Sequence, residues 1–206
     1  ARYLEAARSF REFWGRSRYD RSRSRTDGQP SSRSVRIKSA RRISIARDTP
    51  GPPAALFSVA ADGRSQPRLV IAPQGSATLA FPLAWSVDGR YLAFSNPTAE
   101  TSRDIWVLPR DGKPAPFLAT PMDERAGMFS PDGRWLVYAL KQTGKDEEIY
   151  VQAYPGPGGR WLISSGGGNE PVWSRDGREI YYRSPDGSKM MAVSVRTQPA
   201  FSASKP

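Results

Sequence analysis

The chain has 206 residues, a net charge of +11, and neither cysteine nor histidine. It therefore cannot form a disulfide, a thiolate nucleophile or a histidine-based catalytic triad, and it lacks the commonest metal ligands. We accordingly expect no bound metal and no cofactor. No apolar run approaches the roughly 20 residues of a membrane-spanning helix, so we also expect no membrane segment.

The positive charge is concentrated near the N-terminus, where residues 1–50 contain 14 of the 31 basic residues and 5 of the 20 acidic ones. Apolar residues recur at roughly helical spacing over 1–14, and an Arg/Ser-rich run follows over 16–25. Because this run lacks the apolar residues needed to order it, we expect residues 1–35 to be a disordered basic tail. A nucleic-acid-binding arm is the alternative, and we disfavour it because no nucleic-acid-binding fold follows the run.

Short strand patterns begin near Val35–Lys38 and continue at 41–47, 56–59 and 68–71. A stretch of aromatic-Ser-x-Asp-Gly-Arg followed by apolar residues then occurs three times, starting at Trp85, Phe129 and Trp173 with a constant spacing of 44 residues. In each copy the Asp can cap a tight turn, and the Gly can adopt the positive φ that the turn requires. The predicted structural turn residues are Asp88, Gly89, Asp132, Gly133, Asp176 and Gly177.

A fixed period of about 40–45 residues made of short strands is typical of four-stranded propeller blades. The fold prediction is therefore all-β, an incomplete β-propeller of four-stranded antiparallel blades, with about three and a half blades over 36–75, 80–120, 125–165 and 169–206. We expect the last blade to lack its outer strand. Such an open arc would leave large apolar side chains uncovered at its end, namely Tyr181, Tyr182, Met190 and Met191.

The repeated stretch, together with Asp104–Leu108, Tyr150–Gly159 and Met190–Val193, resembles the WD40-like propeller repeat of the TolB family. It is still more similar to the propellers at the C-terminus of bacterial, eukaryotic-like serine/threonine protein kinases. The resemblance implies a sensor or interaction part of a larger bacterial protein, with a protein or peptide partner. For the compartment, the resemblance implies the periplasmic side of a bacterial membrane protein, and the cytoplasm is the alternative.

The loops that lead into the inner strand of each blade are the candidate binding site, because propellers gather such loops at one mouth. Their mixed polarity suits a peptide or a small polar ligand, although simple solvation of a loop remains the alternative. The acidic run Asp146–Glu148 is expected to be a solvated strand end. The candidate binding residues are Asp123, Glu124, Arg125, Asn169 and Glu170.

No catalytic constellation is visible in the sequence, and the kinase signatures His-Arg-Asp and Asp-Phe-Gly are absent. The sequence therefore predicts a non-enzymatic binding module. The alternatives are the propeller part of a prolyl-oligopeptidase-like hydrolase and a TolB-like translocation or envelope protein. In the hydrolase alternative, the catalytic residues would lie outside this chain, since no histidine is present.

Overall fold

The computed structural model describes residues 34–38, 42–47, 55–60, 64, 66, 68–71, 80–96 and 102–206. Within these ranges the chain forms sixteen strands and no helix. The basic tail predicted over 1–35 lies outside the described residues except at its last two positions, where the first strand begins. The helical pattern at 1–14 also lies outside them.

The strands form four antiparallel sheets, each built from four strands that are consecutive in the chain. The first sheet contains β1 (Ser34–Lys38), β2 (Arg42–Arg47), β3 (Ala55–Ala60) and β4 (Arg68–Ile71). The second contains β5 (Phe81–Trp85), β6 (Tyr91–Ser95), β7 (Ile105–Pro109) and β8 (Ala115–Leu118). The third contains β9 (Asp123–Phe129), β10 (Trp135–Lys141), β11 (Glu147–Ala153) and β12 (Arg160–Leu162). The fourth contains β13 (Asn169–Trp173), β14 (Glu179–Arg183), β15 (Met190–Arg196) and β16 (Ser202–Ala203).

The first strand of each sheet packs against the first strand of the next: β1 against β5, β5 against β9, and β9 against β13. Sheets that stack face to face through their first strands are the blades of a propeller, so each sheet is one blade. The all-β propeller prediction is thus confirmed. Both faces of β10 are buried, as Leu136 and Val137 illustrate, because blade three lies between blades two and four.

The expectation that the last blade lacks its outer strand is wrong. β16 pairs with β15 through Val195–Ala203 and Arg196–Ser202, which completes the fourth blade. This strand is only two residues long, and its residues have no alternating apolar pattern. Pairing with β15 holds this strand in place. Its own sequence contains no strand pattern from which it could have been predicted.

The repeated Ser-x-Asp-Gly-Arg turn has the same hydrogen bonds in blades two, three and four. In blade three, the Ser130 hydroxyl donates to Asp132 at 2.5 Å and accepts from the Trp135 N–H at 3.0 Å. The Asp132 carboxylate accepts the Arg134 N–H at 3.1 Å, and Gly133 has a φ of 72°. The predicted turn is confirmed, and the equivalent glycines Gly89 and Gly177 have φ of 70° and 73°.

Aromatic side chains from the outer hairpins join successive blades. Phe201, in the loop between β15 and β16, has its ring centroid 5.0 Å from those of both Trp135 and Trp161 in blade three. Tyr154, in the loop between β11 and β12, lies 5.2 Å from Tyr91 and 5.3 Å from Phe117 in blade two. Each of these two outer hairpins therefore places one aromatic ring against an aromatic pair of the preceding blade, in tilted or edge-on geometries that aromatic pairs favour.

The prediction that Tyr181 and Tyr182 are uncovered is also wrong, because both side chains are completely buried. Tyr182 lies in the core between blades three and four, and Tyr181 packs with Val172, Met128 and Met190. Met190, like Met191, is partly buried. The sequence pattern assigned these residues to a blade face correctly but could not show that the face is covered.

Candidate binding cleft

A cleft of about 560 Å³ lies where the inner strands β9 and β13 begin, between blades three and four. We call it the interblade cleft. Charged groups of both signs line it, because the ends of several antiparallel strands meet there. Its lining residues are Arg125, Ala126, Ala139, Lys141, Asp146, Glu147, Gly168, Asn169, Glu170, Arg183, Pro185, Asp186 and Gly187.

Two irregular backbone segments shape the wall of the cleft. β9 and β13 each contain a β-bulge opposite the second strand of their blade. The bulge in β9 lies opposite the segment of β10 from Val137 to Ala139, and the bulge in β13 lies between Asn169 and Val172. In each bulge one non-glycine residue, Ala126 or Glu170, has a φ of 53°. A positive φ is unfavourable for residues with a Cβ atom, and such strain is found preferentially at functional sites. The two bulges therefore make this wall of the cleft a candidate functional site.

An ion-pair network fixes the position of Arg125 in the cleft. Arg103 binds both carboxylate oxygens of Asp123, at 2.8 and 3.0 Å. Arg125 binds the same carboxylate through its Nε at 2.8 Å, and its Nη1 binds Glu147 at 2.6 Å. Burial raises the pKa of Asp123, but the hydrogen bonds from Arg125 and Arg103 outweigh this effect and leave it below its usual range. Arg125 is thereby a preoriented cation.

The prediction that Asp146–Glu148 is a solvated strand end is wrong for two of its three residues, Glu147 and Glu148. The Glu147 side chain is only 17% exposed and is paired with Arg125, and Glu148 accepts a hydrogen bond from the Ser164 hydroxyl. Asp146 alone of the three is exposed. Its position on the cleft rim, beside the start of β11, gives it access to a ligand.

On the opposite wall, Arg183 binds Glu170 at 3.3 Å and donates to the Gly187 carbonyl oxygen at 3.0 Å. The adjoining turn is held by Asp186, which accepts hydrogen bonds from the Ser184 and Ser188 hydroxyls at 2.5 and 2.6 Å. These hydroxyls hold the pKa of Asp186 well below its usual range, so its carboxylate is charged at neutral pH. The wall thus presents an arginine and two carboxylates in fixed positions.

The five candidate residues occupy three different places. Arg125, Asn169 and Glu170 line the cleft. Asp123 lies behind Arg125 and orients it. The Glu124 side chain is completely buried, so it has no direct access to the cleft. A binding role for these residues remains a prediction.

Sequence reasoning missed the second-strand ends that complete the cleft, Lys141 and Arg183. In an antiparallel pair, the end of the second strand lies opposite the start of the first. The observed register shows this, because Lys141 pairs with Asp123 and Arg183 pairs with Asn169. Tracing each hairpin from its Asp-Gly turn outward could have placed these two cations beside the predicted site.

The described part of the chain contains no group of three or more acidic residues that could hold a metal ion. No helix among those residues is long and apolar enough to cross a membrane. The described residues of the cleft offer charge pairing and hydrogen bonding, through Lys141, Asp146, Asn169 and the fixed ion pairs.

Comparison with known proteins defines the class of fold. No family model matches the sequence, and no curated protein matches it. Among solved structures, the chain is similar to a protein assigned as TolB from Agrobacterium tumefaciens, with a TM-score of 0.58 and 23% identity over 80% of this chain and 57% of that one. It is also similar to TolB from Acinetobacter baumannii, with a TM-score of 0.58 and 14% identity over 79% of this chain and 40% of that one.

An enzyme shares the same fold: oligogalacturonate lyase from Vibrio parahaemolyticus has a TM-score of 0.53 and 14% identity over 73% of this chain and 44% of that one. This chain spans between 40% and 57% of the lengths of these three proteins. At such identities the similarity establishes the fold alone. The chain has a TolB-like β-propeller fold, a scaffold that both non-enzymatic and enzymatic proteins use.

Proposed function

We propose that the chain is a non-catalytic propeller module that binds a short peptide or a small polar ligand in the interblade cleft. One observation supports this most directly: two strained bulge residues and a preoriented ion-pair network lie in the same concave site. Ala126 and Glu170 hold an unfavourable backbone conformation, and Arg125 is held between two carboxylates. Rigid walls of this kind reduce the entropy that a binding site loses when a ligand arrives.

The charges on the cleft rim indicate the ligand chemistry. Lys141 and Asp146 are exposed in the lining, and neither forms an ion pair with another residue that the structure describes. An ammonium and a carboxylate in one cleft complement a ligand that carries both charges. A short peptide with free termini meets this requirement, with Asn169 available for hydrogen bonds to its amide groups.

The non-catalytic part of the proposal rests on the residue types of the whole sequence. With no histidine or cysteine, the Ser-His-Asp and Cys-His nucleophile arrangements are unavailable. Incubation of the purified chain with oligogalacturonate, the substrate named for one structural neighbour, should therefore give no product. Turnover that disappears with a point mutation in the cleft would contradict this part.

The larger context is a further part of the proposal. The motifs at Asp104–Leu108 and Tyr150–Gly159 resemble those of propellers attached to bacterial serine/threonine kinases, and we infer that this chain is the interaction part of such a protein. A kinase domain encoded upstream in the same reading frame would support that context. A hydrolase domain downstream, or a TolB-type envelope protein, would replace it.

Binding is tested by NMR with a pool of random tripeptides carrying free termini, titrated into ¹⁵N-labelled chain. Amide shifts should cluster at Lys141, 168–170 and Gly187, and should be lost with the same pool after acetylation and amidation. The double variant Lys141→Ala/Asp146→Ala should lose the response. The control Asp111→Ala/Lys113→Ala, which removes two exposed charges outside the cleft, should keep it. Shifts scattered over other surfaces, or none at millimolar peptide, would refute the site.

A further inference from the structure

Two buried carboxyl groups, those of Asp104 and Glu124, belong to neighbouring backbone segments between blades two and three, outside the interblade cleft. Arg103 and Asp123 form a parallel β-bridge, and the Glu124 N–H donates to the Arg103 carbonyl oxygen at 2.8 Å. In extended chains, successive side chains alternate between the two sides. The residues that follow the bridged pair, Asp104 and Glu124, therefore project together on the side opposite the Arg103–Asp123 ion pair.

Both carboxyl groups are buried, Asp104 with 1% of its surface exposed and Glu124 with none. Each has one oxygen with no hydrogen-bond partner, Oδ1 of Asp104 and Oε2 of Glu124. Two ionised carboxylates in this position would each lack solvation and would repel each other. Such a pair normally retains a proton, because one neutral carboxyl group both removes a charge and supplies a donor.

Among the residues that the structure describes, none supplies a cation that balances these two carboxyl groups. From the segment before β9, the Thr120 hydroxyl donates to Glu124 Oε1. On β10, Tyr138 is the titratable residue whose pKa the charge of Glu124 affects. Arg160 and Tyr150 also affect the pKa of Tyr138. The nearby Arg103 is bound to both oxygens of Asp123 on the other side of the backbone.

We propose that Asp104 and Glu124 form a proton-binding site, in which one proton shared between their two unpartnered oxygens fastens the start of β7 to the start of β9. Glu124 carries the proton and donates it to the Asp104 carboxylate. Deprotonation releases this proton to water and leaves two buried like charges. Because Asp123 and Arg125 flank Glu124 on β9, the protonation state is linked to the strand that positions Arg125 in the cleft.

The titration of Glu124 sets the working range of the site. Burial, as the largest effect, raises the pKa of Glu124 to about 7; the Thr120 hydroxyl opposes the rise, and the Asp104 charge adds to it. The pKa in the unfolded chain is close to 4.5. Between these values the folded state holds a proton that the unfolded state has lost, so stability falls as pH rises through this window.

The first test is urea unfolding of the whole chain at pH 5, 6, 7 and 8, comparing the parent with Glu124→Gln. In the parent, Glu124 should make the folding constant fall by up to about tenfold for each unit that the pH rises, as long as the pH is below the pKa of Glu124 in the folded state. That dependence should be absent in Glu124→Gln, which retains a neutral hydrogen-bonding group. Glu148→Gln is the matched control, because Glu148 occupies the position 44 residues after Asp104, and it should retain the parent dependence. A flat parent profile, or a dependence that persists in Glu124→Gln, would overturn the proposal.

A second measurement needs no substitution at Glu124. In ¹³C NMR of chain labelled at glutamate side-chain carboxyl carbons, one glutamate should titrate near pH 7. Asp104→Asn, which removes the neighbouring negative charge, should shift that midpoint to lower pH. If every glutamate of the folded parent titrates in the ordinary range near pH 4, the shared proton does not exist.

Discussion

Ala126 and Glu170, 44 residues apart, have the same positive φ of 53°. The position 44 residues before Ala126 is Pro82, whose ring fixes φ at a negative value. The inner strand of blade two nevertheless has its own register shift, between Pro82 and Ala84. The bulge is therefore common to three blades, whereas the left-handed residue occurs in the two blades that form the cleft.

The strain at these positions can be tested with Ala126→Gly. Glycine adopts positive φ without a Cβ clash, so relief of strain should offset its greater unfolded-state entropy. We expect the free energy of unfolding to change by less than about 0.5 kcal/mol or to rise. Ala153→Gly, at the end of β11, is the control, since no positive φ is recorded there, and it should lose about 1 kcal/mol. Equal losses in both variants would show that Ala126 is not strained.

The repeated turn makes a second prediction, at Gly133. A Cβ atom at this position would meet no atom within 4 Å beyond the adjoining residues, so Gly133→Ala should lose about 1 kcal/mol through backbone strain alone. Gly133→Asn should lose less, because asparagine tolerates the left-handed region better than alanine. Urea unfolding of the three proteins measures the difference. An asparagine variant as unstable as the alanine variant would argue against a conformational cause.

The ion pairs of Arg125 and Arg90 provide a comparison between a partly buried and an exposed site. The Arg125 side chain is 31% exposed and pairs with Asp123 and Glu147, which are 14% and 17% exposed. Arg125→Gln would leave Glu147 without its cation and Asp123 with Arg103 alone, so we expect a loss of roughly 1–3 kcal/mol. Arg90→Gln, where the side chain is 72% exposed and pairs with Asp88, should change stability by less than about 0.5 kcal/mol. Thermal unfolding of both variants at low and high salt checks this, and similar losses would contradict the burial argument.

A fourth prediction concerns Phe201, which is 6% exposed and packs between Trp135 and Trp161. Phe201→Ala should destabilise the chain by roughly 3 kcal/mol, because it removes a buried ring and leaves a cavity. Val87→Ala removes an apolar side chain that is 69% exposed and should have little effect. Hydrogen exchange should also show faster exchange at 195–204 in Phe201→Ala. Unchanged exchange there would mean that the ring does not hold the last strand.

The features that the sequence could predict depend on local hydrogen bonds. The turn around Asp132 is specified by residues no more than five positions apart, so its chemistry is visible in any window that contains it. One of the two carboxylates that pair with Arg125, by contrast, is that of Glu147, 22 residues away on another strand. Whether such a carboxylate is solvated or paired depends on how the strands are aligned, and the sequence pattern alone could not decide this.

The remaining differences have the same origin. β16 consists of two residues whose pairing depends on β15, and the burial of Tyr181 depends on Met128 from the neighbouring blade. The sequence makes Glu124 a candidate binding residue because it lies in a polar loop that leads into an inner strand. Its complete burial follows from the packing of blade two against blade three, which no property of residues 123–125 indicates.

The aromatic rings of the outer hairpins, Tyr154 and Phe201, each pack against the preceding blade, so the contacts between blades are not symmetric along the chain. Because the ring of Phe201 belongs to blade four but fills a space in blade three, detaching the last hairpin would first open the aromatic side of the blade before it. The same holds one step earlier for Tyr154 and blade two. A pulling force or a protease acting from the C-terminal end would therefore unzip the described blades in reverse order, and each step would weaken the next one.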